Sequence, residues 1–170
     1  MAGTYRFSFG PWNIHEGADP FGPVTRDPFS LREKLDFAVR EGFSGIQFHD
    51  DDAVDITLSL MEQNKHLKEL KALLDDMGLE AEFVAPRLWE HPLTVDGGWT
   101  SNNLESRRYA YDRSKRAVDI ANALGTKRVV LWPAREGTYI REAKDSKVAV
   151  DRFIEYIDML LDYDKDIRVL

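Results

Sequence analysis

The chain has 170 residues, enough for one domain with a hydrophobic core, and its 43% apolar content excludes an intrinsically disordered protein. The net charge of −7 argues against nucleic acid and anionic membranes as partners, because both bind positive surfaces. The lack of cysteine excludes disulfides, zinc–thiolate sites and thiol nucleophiles. No stretch has the length of a membrane span and the first residues lack a signal region, so we expect a cytoplasmic protein.

Short apolar runs alternate with longer amphipathic ones along the chain, a pattern typical of strands followed by helices. The predicted strands cover residues 5–10, 45–48, 81–85, 128–132 and 167–170. The predicted helices cover residues 31–41, 62–77, 103–124 and 142–163. This alternation predicts a parallel sheet with helical crossovers, either a (β/α)8 barrel or an open doubly wound sheet.

Aromatic and polar residues follow the predicted strands, and in a (β/α)8 barrel the loops after the strands open onto one face. No glycine-rich phosphate fingerprint follows a strand, which disfavours dinucleotide binding. We therefore predict an α/β fold of the TIM-barrel type, here a partial barrel of about four βα units plus a fifth strand, spanning residues 1–170. Because a complete barrel needs at least about 200 residues, we expect a truncated chain or one that depends on a partner.

The segment Phe48–Asp52, Phe-His-Asp-Asp-Asp, follows the second predicted strand. A carboxylate that holds one imidazole nitrogen fixes the tautomer and leaves the other nitrogen for a substrate. The three-residue spacing favours Asp52 as the partner of His49, whereas Asp50 is expected to point away. Two other interpretations remain open, a solvated turn that caps the next helix and a magnesium or manganese site.

Five motifs in order resemble those of the xylose isomerase family, and the resemblance covers nearly the whole chain. The motifs are Asp19–Gly22, Phe48–Asp52, Leu88–Pro92, Asp96–Asn102 and Trp132–Gly137. The resemblance implies the amino-terminal half of an aldose–ketose isomerase that converts D-xylose to D-xylulose by a metal-assisted hydride shift after ring opening. The chain departs from the family at Trp89, where the family has Phe, and at Ala85 and Arg87, where familiar members carry polar uncharged residues.

The resemblance also implies roles for individual residues. His49 would assist ring opening, and Asp52 would hold its tautomer. The apolar walls for the sugar would be Trp12, Trp89 and Trp132. Phe21 would reach into a neighbouring subunit, which implies a homo-oligomer, either a dimer or a tetramer. The family enzyme uses two divalent cations, Mg, Mn or Co. Their ligands would lie beyond this chain, so we assign no metal ligand here and expect the chain alone to be inactive.

Two further hypotheses remain open. One is a different chemistry on the same barrel, such as a sugar epimerase or an apurinic-site endonuclease. The acidic charge argues against the nuclease, and the motif around His49 together with Trp132 argues against epimerases, whose catalysis usually depends on paired glutamates. The other hypothesis is a non-catalytic half-barrel that self-associates through its first and fifth strands.

Overall fold

The computed structural model describes residues 5–15, 17, 23–138 and 140–170. Five parallel strands form one open sheet in sequential order. They are β1 (Ser8–Phe9), β2 (Gly45–His49), β3 (Glu80–Ala85), β4 (Arg128–Val129) and β5 (Arg168–Val169). This sequential order of parallel strands, joined by helices, confirms the predicted barrel-type architecture.

In the described residues, five α-helices connect the strands. They are α1 (Leu31–Arg40), α2 (Asp50–Ala53), α3 (Leu60–Asp76), α4 (Leu104–Ala123) and α5 (Ser146–Tyr163). Capping boxes begin two of them, Ser30 with Glu33 at α1 and Ser59 with Glu62 at α3. Of the helices in the described ranges, none combines the length and apolar character needed to cross a membrane.

Several predicted boundaries were wrong. Strands β1, β4 and β5 are only two residues long, although backbone pairing continues past β4, where the N–H of Val130 donates to the carbonyl of Val84 at 3.0 Å. Helix α5 begins four residues later than predicted, because the Asp145 carboxylate accepts from the N–H of Val148 at 2.9 Å and caps it. Helix α2 was not predicted, because three aspartates have little intrinsic helix propensity.

The hydrophobic core lies between the sheet and the helices. Its fully buried members include Leu35, Ile46, Phe48, Leu67, Leu74, Val84, Val118, Ile120, Val129 and Leu160. Because side chains alternate along a strand, burying Ile46 and Phe48 against the helices turns Gln47 and His49 to the opposite face of β2. The core thereby presents His49 on the face away from the helices.

A β-bulge interrupts the pairing of β2 with β3. Ile46 pairs with Ala81 and Gln47 pairs with Phe83, so Glu82 is an extra residue in β3. The Glu82 carboxylate accepts hydrogen bonds from the Ser8 hydroxyl and from Nε2 of Gln47. The bulge therefore links the first three strands through one polar cluster.

Candidate functional site

A cleft of about 370 Å³ opens where strands β2, β3 and β4 end. It is lined by Trp12, His49, Phe83, Ala85, Arg87, Trp89, Val130 and Trp132. A larger cavity of about 480 Å³ lies at the opposite end of the strands, beside Glu80, Arg128 and Arg168, and contains none of the predicted site residues. Because the functional loops of barrel proteins follow the strands, we assign the site to the smaller cleft.

Four aromatic rings form a continuous row in this cleft. The ring of His49 lies 4.2 Å from that of Trp12 and 5.1 Å from that of Trp89, measured between centroids. Trp132 meets Trp89 edge to face at 4.7 Å. The structure therefore brings together Trp12, His49, Trp89 and Trp132. Phe21 and the motif Asp19–Gly22 lie outside the described residues.

Two glycines make room for side chains, Gly10 beside the cleft and Gly97 in the neighbouring loop network. A Cβ at Gly10 would fall within the indole ring of Trp12. Gly97 has φ of +87°, and a Cβ there would lie 2.9 Å from Nζ of Lys144 and 3.0 Å from the hydroxyl of Thr100. Both positions therefore require glycine, the first for close approach and the second also for its backbone conformation.

His49 and Asp52 form the polar pair of the cleft. Nδ1 of His49 lies 2.8 Å from Oδ2 of Asp52, which also accepts from the His49 N–H at 3.2 Å. Burial raises the pKa of Asp52, but the hydrogen bond from His49 and the charge of Arg87 outweigh it and hold this pKa below its usual range. The ionised carboxylate therefore accepts from Nδ1–H. Within the described ranges no protein group bonds Nε2, which leaves that nitrogen for a ligand.

Arg87, from the loop after β3, lies directly against this pair. Its Nε donates to Asp51 at 2.8 Å and its Nη2 donates to Asp52 at 2.6 Å. Nη2 also lies 2.8 Å from Nδ1 of His49. Because a guanidinium only donates and Nδ1 carries the proton given to Asp52, this last approach is a contact and not a hydrogen bond.

Arg113, from α4, binds the same aspartates from the other side. Its Nε and Nη2 donate to the two oxygens of Asp50 at 2.6 and 3.0 Å, and Nη2 donates to Asp51 at 2.9 Å. Burial lowers the pKa of Arg113, but the hydrogen bonds and charge of Asp50 outweigh it and raise this pKa. Asp50 is fully buried, so the three aspartates are not a solvated turn, although Asp52 does cap helix α2 by accepting from the N–H of His49.

One group of residues has the spacing of a metal site. His49, Asp51 and Asp52 each offer a ligand atom, and these atoms lie within 4.8 Å of one another. Both oxygens of each carboxylate already bond protein donors, and the Arg87 guanidinium contacts all three residues. A divalent ion would meet a fixed positive charge at the same place. The cluster therefore does not fit a metal while Arg87 is in position.

A second polar network fixes the loops that carry the aromatic residues. The Glu136 carboxylate accepts from the N–H groups of Gly98 and Thr100 at 2.9 and 2.8 Å. The buried Lys144 donates to the carbonyls of Asp96 and Gly137 at 2.8 and 3.0 Å. In addition, Nε of Arg135 donates to the carbonyl of Trp89 at 2.8 Å. Glu136 and Arg135 therefore each bond to the backbone of another loop.

The sequence did not reveal the two arginines as parts of the site. Arg87 stood out only as a departure from the family pattern, and its contact with His49 depends on how the loop after β3 folds back. Arg113 lies 63 residues after Asp50, on a helix rich in basic residues, and no local pattern marks it.

A family profile described as xylose isomerase-like TIM barrel matches residues 35–170. Solved structures with the same fold include a D-tagatose 3-epimerase-like protein, with TM-score 0.66, 15% identity and coverage of 97% of this chain and 51% of that one. A probable 3-DHS dehydratase, AsbF from Bacillus anthracis, has TM-score 0.63 and 13% identity, with coverage of 98% and 51%.

A third solved structure, the IolI protein with a binding zinc atom, has TM-score 0.62 and 16% identity, with coverage of 97% of this chain and 50% of that one. At these identities the likeness concerns the fold alone. The chain spans about half the length of each of the three structures.

Proposed function

The chain belongs to the xylose isomerase-like TIM barrel family, and on that premise we propose that its cleft binds a monosaccharide and opens the sugar ring for aldose–ketose isomerisation. D-xylose to D-xylulose is the reaction we assign first. One observation carries the proposal: the His49 ring is held at Nδ1 by Asp52 and flanked by Trp12 and Trp89. That arrangement combines a general acid–base group with apolar walls for a sugar.

The proposed step moves one proton. Nε2 of His49 accepts the proton of the anomeric hydroxyl as the bond between C1 and the ring oxygen breaks. The electron pair of that bond goes to the ring oxygen, which then takes the proton from Nε2, so the products are an aldehyde and a hydroxyl. Asp52 stabilises the imidazolium that forms between the two transfers.

The charge of the site favours a neutral sugar. Three aspartates, Asp50 to Asp52, face two guanidinium groups, those of Arg87 and Arg113, which leaves one net negative charge beside the cleft. Arg87 is the arginine in the described lining of the cleft, and Asp51 and Asp52 already compensate its charge, so it offers no free cation to a sugar phosphate or sugar acid. Indole rings suit the apolar faces of a neutral pyranose.

We also propose that the described residues alone do not complete the isomerisation. The divalent cations implied by the resemblance to xylose isomerase would supply Lewis-acid stabilisation of the sugar oxygens. In the described part of the chain, the cluster of His49, Asp51 and Asp52 is the single group with metal-site spacing, and Arg87 and Arg113 already neutralise its carboxylates.

Polarimetry of freshly dissolved α-D-xylose tests the ring-opening proposal. We expect the chain to accelerate mutarotation above the buffer rate, and His49→Gln to remove the acceleration. His66→Gln, on an exposed position of α3, is the matched control and should keep it. A folded wild-type chain that does not accelerate mutarotation would refute the proposal. With magnesium or manganese added, formation of xylulose by this chain alone would contradict the proposal that the described residues do not complete the isomerisation.

A sugar epimerase is the alternative on the same fold. Epimerisation through paired glutamates needs carboxylates that face the sugar, and the described lining of the cleft contains none. Glu82, on the neighbouring strand, is held by Ser8 and Gln47. Conversion of D-fructose to D-psicose by the chain would favour the epimerase over the isomerase.

The homo-oligomer implied by the family resemblance is a proposal as well. Helix α5 exposes Val150 and Ile154, with 58% and 53% of their surfaces accessible, and exposed apolar side chains on one helix suit a subunit contact. Sedimentation velocity tests this assembly, and a monomer at micromolar concentration would contradict it.

A further inference from the structure

We propose that Arg87 is the resident cation of the cluster formed by His49, Asp51 and Asp52, and that its guanidinium keeps divalent metal ions out of this cluster. The inference concerns metal binding and does not depend on the proposed sugar chemistry. It follows from the position, fixation and charge of one side chain.

The guanidinium lies where a metal would coordinate. Its nitrogens approach one atom of each residue in the cluster: Asp51 at 2.8 Å, Asp52 at 2.6 Å and Nδ1 of His49 at 2.8 Å. A metal bound by the same three residues would need to lie within about 2.0–2.2 Å of one atom from each. The two cations therefore cannot occupy the cluster together.

The remaining ligand positions are also taken. The second oxygen of Asp52 accepts from His49, and the second oxygen of Asp51 accepts from Arg113 at 2.9 Å. A metal would therefore have to displace protein donors from both carboxylates. Exclusion by Arg87 thus acts on a cluster in which all four carboxylate oxygens already accept from protein donors.

Arg87 is fixed and does not act as a mobile surface arginine. Its side chain is 16% exposed, and its backbone N–H donates to the buried Asp50 at 2.9 Å. On the outer side, Nη1 meets Glu90 at 3.3 Å and the guanidinium lies 6.0 Å from the ring centre of Trp89. Contacts on every side therefore hold the positive charge over the cluster.

The exclusion has a consequence for His49. A metal on Nδ1 would replace the proton that binds Asp52, and the imidazole could then no longer exchange protons as a free base. By holding the metal out, Arg87 leaves the pair of His49 and Asp52 as an acid–base group. Arg87 is in this sense a positioning residue.

Titration with Co²⁺, followed by its visible absorption, tests the inference, with Zn²⁺ calorimetry as a second readout. The wild-type chain should show no Co²⁺ site that depends on His49. Arg87→Met should bind Co²⁺ at least about 100-fold more tightly, because the repulsion between the two cations is removed. Adding His49→Gln to this variant should abolish the binding. Arg108→Met, an exposed arginine of α4, should behave as wild type.

A variant that keeps the positive charge at position 87 distinguishes the exclusion of metal ions from a purely structural role of Arg87. Arg87→Lys retains a cation and should still exclude Co²⁺. If circular dichroism shows that Arg87→Met does not fold, Arg87→Gln replaces it with the same expectation, because the amide can still donate to one aspartate. The inference is overturned if wild type binds Co²⁺ through His49, or if a folded neutral variant gains no site. Because no sugar is present, neither result depends on the isomerase proposal.

Discussion

Arg113 and Asp50 form a two-point ion pair that joins helix α4 to the first residue after strand β2. The guanidinium of Arg113 donates to both oxygens of Asp50, and its remaining donors meet Asp51 and the hydroxyl of Tyr109. Asp50 has no exposed surface. The pair therefore fixes the start of α2, whose first turn orients Asp52 toward His49.

Replacing Arg113 should destabilise the fold strongly. Arg113→Met leaves Asp50 buried without its charged partner, which we expect to lower the free energy of unfolding by about 3–5 kcal/mol. Urea unfolding followed by tryptophan fluorescence measures this change. Arg108→Met, at an exposed site on the same helix, should change it by less than about 0.5 kcal/mol. A loss below about 1 kcal/mol for Arg113→Met would show that water relieves the charge of Asp50.

The sequence predicted the order of strands and helices because apolar periodicity reports directly on burial. Ile46 and Phe48, for example, mark β2 and also place His49 on the opposite face. The partner of His49 was predictable as well, since Asp52 lies one turn away in the chain. These features depend on local spacing alone.

The ion-pair contacts could not be predicted from local spacing. The contact of Arg113 with Asp50 crosses 63 residues, and that of Arg87 with Asp52 crosses 35. Both depend on where a helix and a loop pack against β2 in three dimensions. The ends of β1, β4 and β5 could not be predicted for a related reason. Each of these strands ends where its pairing with the neighbouring strand ends, and that depends on the packing of the whole sheet.

The stability of the fold should depend on the ionisation of Asp52. Since His49 and Arg87 hold the pKa of Asp52 below its unfolded value of about 3.9, the carboxylate stabilises the fold fully above about pH 5. That contribution is lost as the pH falls through the folded pKa. Asp52→Asn should therefore be less stable than wild type at neutral pH, and the difference should shrink on acidification.

Urea unfolding at several pH values between about 7 and 3 measures the difference. Asp76→Asn, at an exposed position at the end of α3, serves as control and should show no such trend. A difference that stays constant with pH would mean that the charge of Asp52 does not stabilise the fold.

Truncation of Trp99 should lower the stability of the fold, whereas truncation of Trp132 should weaken sugar binding. Trp99 is fully buried and donates from Nε1 to the hydroxyl of Ser114 at 3.0 Å, so Trp99→Ala should cost about 3–5 kcal/mol of stability. Trp132 is 56% exposed, so Trp132→Ala should leave the unfolding free energy within about 1 kcal/mol of wild type. On our functional proposal, it should weaken sugar binding instead.

Thermal unfolding and fluorescence titration with D-xylose separate the two effects. Equal losses of stability in both variants would place Trp132 in the packed core and contradict its assignment to the cleft wall. Unchanged xylose affinity in a stable Trp132→Ala variant would show that Trp132 does not contribute to the proposed sugar site.

Glu136 should control the mobility of the loop Asp96–Asn102. Its carboxylate accepts from the N–H groups of Gly98 and Thr100, and each lost hydrogen bond to a charged acceptor costs about 1.5–3 kcal/mol. Glu136→Ala should therefore speed hydrogen exchange at these two amides by about 10- to 100-fold, while the amides in the middle of α4 change little. Glu155→Ala, on the exposed side of α5, is the matched control. Exchange that accelerates equally throughout the chain would indicate global destabilisation, and unchanged exchange at Gly98 and Thr100 would show that Glu136 does not hold the loop.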